Sequence, residues 1–347
     1  MALEKSILTN ESITRLLKEN YGIEVASIEK LRLGSANCYR ISDRSQNYFL
    51  KEFQCGFSGD DLTREAQIVN FLSERSIPVA RFFLTKTGTP YIIFQEHLIC
   101  LEEYISGNTS DYDNFPKALL PEAAQMLGRL HLALQNYPLA AEMGRAWLDS
   151  YSAEVLISQY DKLLTLARQR TANSITSRII SDLEYKKELA WRCDKYKEAY
   201  TGVTYCPTHG DYQGCQLVFD DQHIKAVIDF SSARSLPVVW EIMRSYVQSS
   251  QICRETAVID IAEFCKYVRE YLKFSPLSQT DLQAMPYVYL FQLARSKYGY
   301  KQYLETESED NWRLLQFAFW RTNMCREVES KANAISKALS ELRTITK

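Results

Sequence analysis

The chain has 347 residues, 46% hydrophobic and 24% charged, with a formal net charge of -2. That length holds one large domain or two lobes with real cores, and the balanced charge excludes a field that would favour nucleic acid or an anionic membrane. No apolar run approaches the ~20 residues that span a bilayer, and residues 1–10 lack a basic stretch followed by an apolar one, so neither a membrane segment nor a secretory leader is expected. The nine cysteines form no C-x-x-C pair, the pattern of reduced, mostly buried thiols in a cytoplasm.

In chain order, residues 11–21 (ESITRLLKENY) carry apolar positions at helical spacing and stop at Gly22. Strand-like stretches follow at 26–33, 36–42 and 47–53, with turns at Gly34-Ser35-Ala36-Asn37 and Asp43-Arg44-Ser45-Gln46. The expectation is an antiparallel meander. Residues 60–75 read as a helix capped by Asp60 or Asp61, with Pro78 beyond its end. Two more strands are expected at 81–84 and 90–95, around Gly88.

From about Leu101 long helices take over. Residues 117–136 carry the stripe Leu120, Ala123, Ala124, Leu127, Leu130, Leu134. Helices at 147–170 and 177–200 should form a pair, the second polar on most faces and largely exposed. The run 204–230 interrupts them with strands at 217–219 and 224–229. Helices return at 239–249, 255–272, 281–304 and 310–342. The fold class expected is α+β, with a β-rich lobe at 1–98 and a helical lobe at 99–347.

The most informative stretch is His209-Gly210-Asp211-Tyr212-Gln213-Gly214-Cys215-Gln216, followed by Ile228-Asp229-Phe230. A His-x-Asp, an amide five residues after the Asp, and a second Asp leaving an apolar strand suit phosphoryl transfer. Asp211 can orient and deprotonate a hydroxyl. Gln216 and Asp229 can hold magnesium on a nucleotide. His209 would brace the loop by hydrogen bonds to backbone or to Asp229. Asp229 could instead be a turn or helix cap before Ser231-Ser232. Upstream, alternation in Tyr48-Phe49-Leu50-Lys51-Glu52-Phe53 puts Lys51 between aromatics on one face. A lysine there needs a carboxylate or phosphate partner, and Glu65 on the next helix is the natural one. Its other reading is a surface lysine whose stem covers apolar neighbours. Gly34 and Ser35 lie in a small-residue turn before the lysine strand, where backbone N–H groups could approach phosphates. A lone His131 on an amphipathic helix reads as a core or supporting residue, and His97 and His223 as loop or strand-edge residues. A zinc site is not expected.

With these residues in place, the chain resembles the aminoglycoside phosphotransferase and choline kinase-like superfamily, a branch of the protein-kinase-like fold. The likeness runs from about Ile28 to Tyr303 and is strongest over 208–246. Leu50-Lys51-Glu52-Phe53, Arg64-Glu65-Ala66 and Leu127-Gly128-Arg129-Leu130-His131 match the family's lysine strand, glutamate helix and the helix before the catalytic loop. The resemblance implies a two-lobed kinase fold with ATP between the lobes, against a hinge near residues 95–99 that includes Gln95 and His97. It implies Asp211 as base, Gln216 and Asp229 as magnesium ligands, Lys51 on the α/β-phosphates, and a small hydroxylated acceptor in the helical lobe. The chain departs from the family at Gln213-Gly214-Cys215-Gln216, where His-Pro-Gly-Asn is common. A glutamine moves the amide oxygen out by ~1.5 Å. Three readings follow: an active small-molecule kinase of amino alcohols, sugars or aminoglycosides; a weak or inactive relative that binds nucleotide or a partner; and a spore-coat-type relative with a protein acceptor.

Overall fold

The computed structural model describes residues 4–31, 36–111, 113–138, 152–192, 198–306 and 311–342. Two compact units divide the chain: Met1–Thr109 with Gln216–Ala233, and Ser110–Cys215 with Arg234–Lys347.

In the first unit, helix α1 (Asn10–Tyr21) starts in a capping box between Thr9 and Ser12 and ends at Gly22, whose φ of 76° suits a glycine C-cap. Its buried stripe is Ile13, Leu16 and Leu17. Strands β1 (Ser27–Leu31), β2 (Asn37–Ser42), β3 (Asn47–Glu52), β4 (Tyr91–Phe94) and β5 (His97–Glu103) form a sheet ordered β1-β2-β3-β5-β4. All neighbours in it are antiparallel. Alternation on β3 sends Tyr48 and Leu50 into a core with Ile13 and Leu17, and leaves Phe49 and Lys51 on the opposite face.

Helix α2 (Gly59–Ser73) is capped by Ser58, whose hydroxyl accepts from the Asp61 N–H at 3.4 Å. The expected caps, Asp60 and Asp61, sit instead in the first turn, where their charge complements the helix dipole. The stretch 81–84 contributes only a bridge between Phe82 and Glu102. The strand that matters is β5, at the place expected to be a hinge. Gln95 and Glu96 have φ of 48° and 68°, and Phe94 pairs with His97, so 95–96 is a two-residue hairpin turn. The chain passes from the first unit to the second after Thr109. Strands β6 (Asn108–Thr109), β8 (Leu217–Phe219) and β9 (Ile224–Val227) complete the first unit as a small sheet ordered β6-β8-β9.

The second unit is helical: α3 (Leu120–Leu134), α4 (Ala153–Arg168), α5 (Ser174–Arg192), α6 (Val238–Ser249), α7 (Gln251–Thr256), α8 (Ile261–Leu272), α9 (Gln279–Arg295), α10 (Tyr300–Glu305) and α11 (Asn311–Ser340). Residue 147, where a helix was expected to begin, lies outside the described residues. Strands β7 (Tyr205–Thr208) and β10 (Arg234–Pro237) pair antiparallel and bracket the His-Gly-Asp loop and the β8–β9 hairpin in sequence. Helix α5 is not largely exposed. It buries Ile179, Asp182, Leu183, Lys186 and Leu189. The polar pair is tolerated inside because it is partnered. Asp182 accepts from Tyr300 and Arg326 at 2.8 Å each, and the Lys186 ammonium donates to the Leu293 and Ser296 carbonyls at 3.0 and 2.7 Å. Two helices expected to be continuous are broken: residues 257–260 separate α7 from α8, and 296–299 separate α9 from α10. No helix among the described residues is long and apolar enough to cross a membrane.

Gly128 on α3 meets the backbone of α8. A Cβ there would lie 2.7 Å from the Tyr271 carbonyl oxygen. Alanine would ordinarily gain ~1 kcal/mol in a helix interior, but backbone on the facing helix cannot swing aside. Gly128→Ala is therefore expected to lower stability by about 1–3 kcal/mol, read from the urea midpoint. A stabilised variant would mean that the two helices separate at no cost.

Candidate active site

The His-Gly-Asp loop follows β7 and is fixed by one buried carboxylate. Glu241, on α6, is fully buried. It accepts from the backbone N–H of His209 at 3.1 Å, from that of Gly210 at 2.6 Å, and from His131 Nε2 at 2.9 Å. With Nε2 donating, His131 Nδ1 is left to accept from the Tyr271 hydroxyl at 2.9 Å. Burial works to raise Glu241, but its hydrogen bond to His131, the nearby histidines and the Gly210 N–H hold the carboxyl below the usual range. His131 is thus a supporting residue, as its helix position suggested.

Three more contacts fix the loop. His209 Nδ1 accepts from the Asp211 N–H at 3.2 Å, so His209 braces the backbone. The buried Tyr212 hydroxyl donates to the Ala123 carbonyl at 2.8 Å, and the Gly214 N–H donates to Ser249 Oγ at 2.8 Å. Gly214 is required by space, since a Cβ would meet the Phe115 ring at 2.7 Å. Asp211 emerges from this frame only part-buried. One carboxylate oxygen pairs with Arg244, and the other accepts from Gln213 Nε2 at 3.2 Å.

In the first unit, the β8–β9 hairpin brings the two expected magnesium ligands together. Leu217 pairs with Val227, and the Ile228 N–H donates to the Gln216 carbonyl at 3.0 Å. That register carries Gln216 Nε2 to 3.4 Å from Asp229 Oδ2. The other Asp229 oxygen accepts from Ser231 Oγ at 2.6 Å. Asp229 has φ 64° and ψ 71°, a left-handed backbone that few non-glycine residues adopt. The turn aims the carboxylate off the strand end instead of into the ladder.

Lys51 lies opposite Cys38 and Cys100 across the neighbouring strands, and its ammonium pairs with Glu102 at 2.9 Å. The close partner is therefore Glu102, two residues along β5 from Cys100, rather than the expected Glu65. Glu65 is a second carboxylate acting on the same charge. Burial opposes the Lys51 charge, but Glu102, then Glu65 and Asp229, hold the ammonium well above the usual lysine range. Burial pushes Glu65 up to about 8, against the pull of Lys51 and the Phe230 N–H. Glu102 is not legible as a strand residue, because the expected hinge covers residues 95–99 and the helical pattern is placed from about Leu101.

The remaining expected residues fall elsewhere. Gly34 and Ser35 lie outside the described residues. Gln95 is at the exposed tip of the β4–β5 hairpin. His97 is buried, with Nδ1 donating to the Phe53 carbonyl at 2.9 Å, which ties β5 to the end of β3.

A sequence profile described as the phosphotransferase enzyme family matches residues 27–273. The chain belongs to this family. No curated protein matches it. Among solved structures it is similar to a microcompartment-associated aminopropanol kinase, with 14% identity over 94% of this chain and 99% of that one at a TM-score of 0.65. It is also similar to the amicoumacin kinase hAmiN in complex with AMP-PNP, Ca2+ and Ami (16%, 93% and 94%, 0.61), and to an ethanolamine kinase of Plasmodium vivax (11%, 94% and 90%, 0.59). At these identities the likeness shows the fold, which is kinase-like. Family membership makes the protein a small-molecule phosphotransferase in general class.

Glu241 and Arg244 are the family member's less legible residues. Both lie in the stretch Trp240-Glu241-Ile242-Met243-Arg244, one helical turn apart, so one turn of α6 presents a carboxylate to the loop backbone and a guanidinium to Asp211. Glu241→Gln turns an amide N–H toward groups that already donate. It is expected to cost about 3–5 kcal/mol by chemical denaturation. The sign with pH follows from the lowered carboxyl. Glu241 contributes fully above the ordinary carboxylate range and loses its contribution as pH falls through its own, lower value. The variant should therefore flatten the acid limb of the stability profile. A loss under about 1 kcal/mol would remove Glu241 from this role.

Proposed function

We propose that the protein is an ATP-dependent kinase that transfers the γ-phosphate to a hydroxyl group of a small molecule. The observation that carries this reading is the convergence of Gln216 and Asp229, 3.4 Å apart on one hairpin. Rotating the Gln216 amide by half a turn presents its oxygen instead of its nitrogen. Two oxygen donors then stand side by side, which fits magnesium, an ion commonly held by one or two protein groups plus water and substrate phosphates. Magnesium bound there would neutralise charge on the transferring phosphates. The longer side chain is no bar to a shared ion, because it already reaches the carboxylate.

In this mechanism Lys51 binds the α/β-phosphates, held in place by Glu102 and Glu65. Asp211 accepts the proton of the acceptor hydroxyl as its oxygen bonds to the γ-phosphorus. The bond from phosphorus to the bridging oxygen breaks, and ADP leaves with that electron pair. The near-neutral charge and the cysteine usage support a cytoplasmic protein acting on a small molecule rather than on nucleic acid.

Asp211→Asn should lower kcat by on the order of 10²–10⁴-fold with KM for ATP nearly unchanged, measured by coupled ADP release. Gln216→Asn should change kcat by less than about tenfold, ~1.4 kcal/mol. A variant that gains activity absent from the parent would show the parent to be an inactive relative. Thermal stabilisation by a non-hydrolysable ATP analogue should need magnesium and weaken in Asp229→Asn. Equal stabilisation with and without the ion would sink the kinase reading.

A further inference from the structure

Within the second unit, Asp211 lines a cavity of about 720 Å3, in the range of small-molecule sites, roughly 300–1,000 Å3. At a water molecule's share of roughly 30 Å3, that is room for on the order of twenty waters. An amino alcohol with about four non-hydrogen atoms would leave most of the cavity to water. A sugar or disaccharide, with about twelve to twenty-three such atoms, would displace much of it. The lining is drawn from α4, α6, α9, α11 and the His-Gly-Asp loop.

Several side chains of this wall have N–H groups to give. Trp240 is 7% exposed, and its indole N–H is buried with no hydrogen-bond partner among the described residues. The Nε of Arg321, in the same wall, is in the same state. A buried donor left so calls for an acceptor. The amide oxygen of Gln159 accepts from Lys297, and that of Gln248 accepts from Arg254 Nη1 at 3.3 Å. Each amide keeps its N–H groups to donate. An ammonium group carries donors only and answers none of these. A hydroxyl answers in both directions: its oxygen accepts from the wall, and its O–H donates onward to the next hydroxyl or to Asp211. Aromatic faces lie among these groups. Trp240 and Phe317 line the cavity, and Tyr298, 47% exposed, meets the Phe317 ring edge-on at 6.3 Å. Such faces cover the C–H side of a carbon skeleton by dispersion.

Resting on the assignment of Asp211 as base, we infer that the acceptor is a polyhydroxylated compound, a sugar or an open-chain polyol. One hydroxyl faces Asp211, while the oxygens of others accept from Trp240 Nε1, Arg321 Nε and the amides of Gln159 and Gln248. Trp240 and Gln159 are then specificity-determining residues that read hydroxyl oxygens, one from α6 and one from α4.

The test is a transfer assay with maltose, glucose and sorbitol, with gluconate, and with ethanolamine and choline, which carry a single hydroxyl. Turnover is expected from the neutral polyols. Trp240→Phe keeps the ring face and removes the N–H, and Gln159→Leu removes the amide. Each should raise the KM of the polyol about two- to tenfold, the size of one lost hydrogen bond, without moving KM for ATP. Turnover confined to ethanolamine and choline would overturn the inference and leave the kinase reading standing. Turnover of gluconate alone would overturn it in favour of a carboxylate. A rise in KM for ATP in both variants would overturn it by assigning these groups to the nucleotide. Calorimetric titration without ATP separates the two readings. Binding of a neutral polyol that weakens in Trp240→Phe and in Gln159→Leu supports the polyol site even if no transfer is detected, and the kinase reading then fails alone. Neither binding nor turnover of any neutral polyol sinks the polyol site.

Discussion

One buried carboxylate carries the His-Gly-Asp loop. Glu241 accepts from two successive backbone N–H groups and from an imidazole. A turn built on Gly210, at φ 81°, has no ladder to hold it, and its N–H groups must be satisfied from elsewhere. The Glu241 side chain does this from α6. The same helix turn sends Arg244 to Asp211, so the loop backbone and the Asp211 carboxylate are set by one rigid element. Through His131 and Tyr271 the arrangement extends to α3 and α8, the helices that Gly128 lets approach closely.

Charge is crowded around the strand lysine of the first unit. Around Lys51 the first unit gathers Glu102, Glu65 and Asp229, three carboxylates against one ammonium. Glu65 responds by holding its proton more tightly, as a carboxyl must when negative charge is in excess and burial denies it water.

Much of this was legible in the chain because it is local. The meander, the α1 stripe and the β8–β9 hairpin follow from period and turn residues within short windows. So does the approach of Gln216 to Asp229, since a hairpin converts sequence separation into adjacency. What escaped depends on partners distant in sequence. β5 is buried on both faces and follows a turn, Gln95-Glu96, that lacks the usual glycine or asparagine; its strand character comes from being central in the sheet. With β5 hidden, Glu102 could not be seen as the partner of Lys51. Helix α5 looked exposed because Asp182 and Lys186 read as surface residues. Their partners, Tyr300, Arg326 and the carbonyls ending α9, are more than 100 positions away. The cavity beside Asp211 is likewise assembled from elements that no window of sequence joins.

The left-handed backbone of Asp229 bears on how such a protein could decay. Of the side chains, asparagine and glycine tolerate that conformation best, and both are one base change from aspartate. Each would remove the carboxylate while leaving the turn, the hairpin and the fold undisturbed. Loss of chemistry at this position would be structurally silent. In this family an inactive lineage could keep every strand and helix of an active one, and shape alone would not tell them apart.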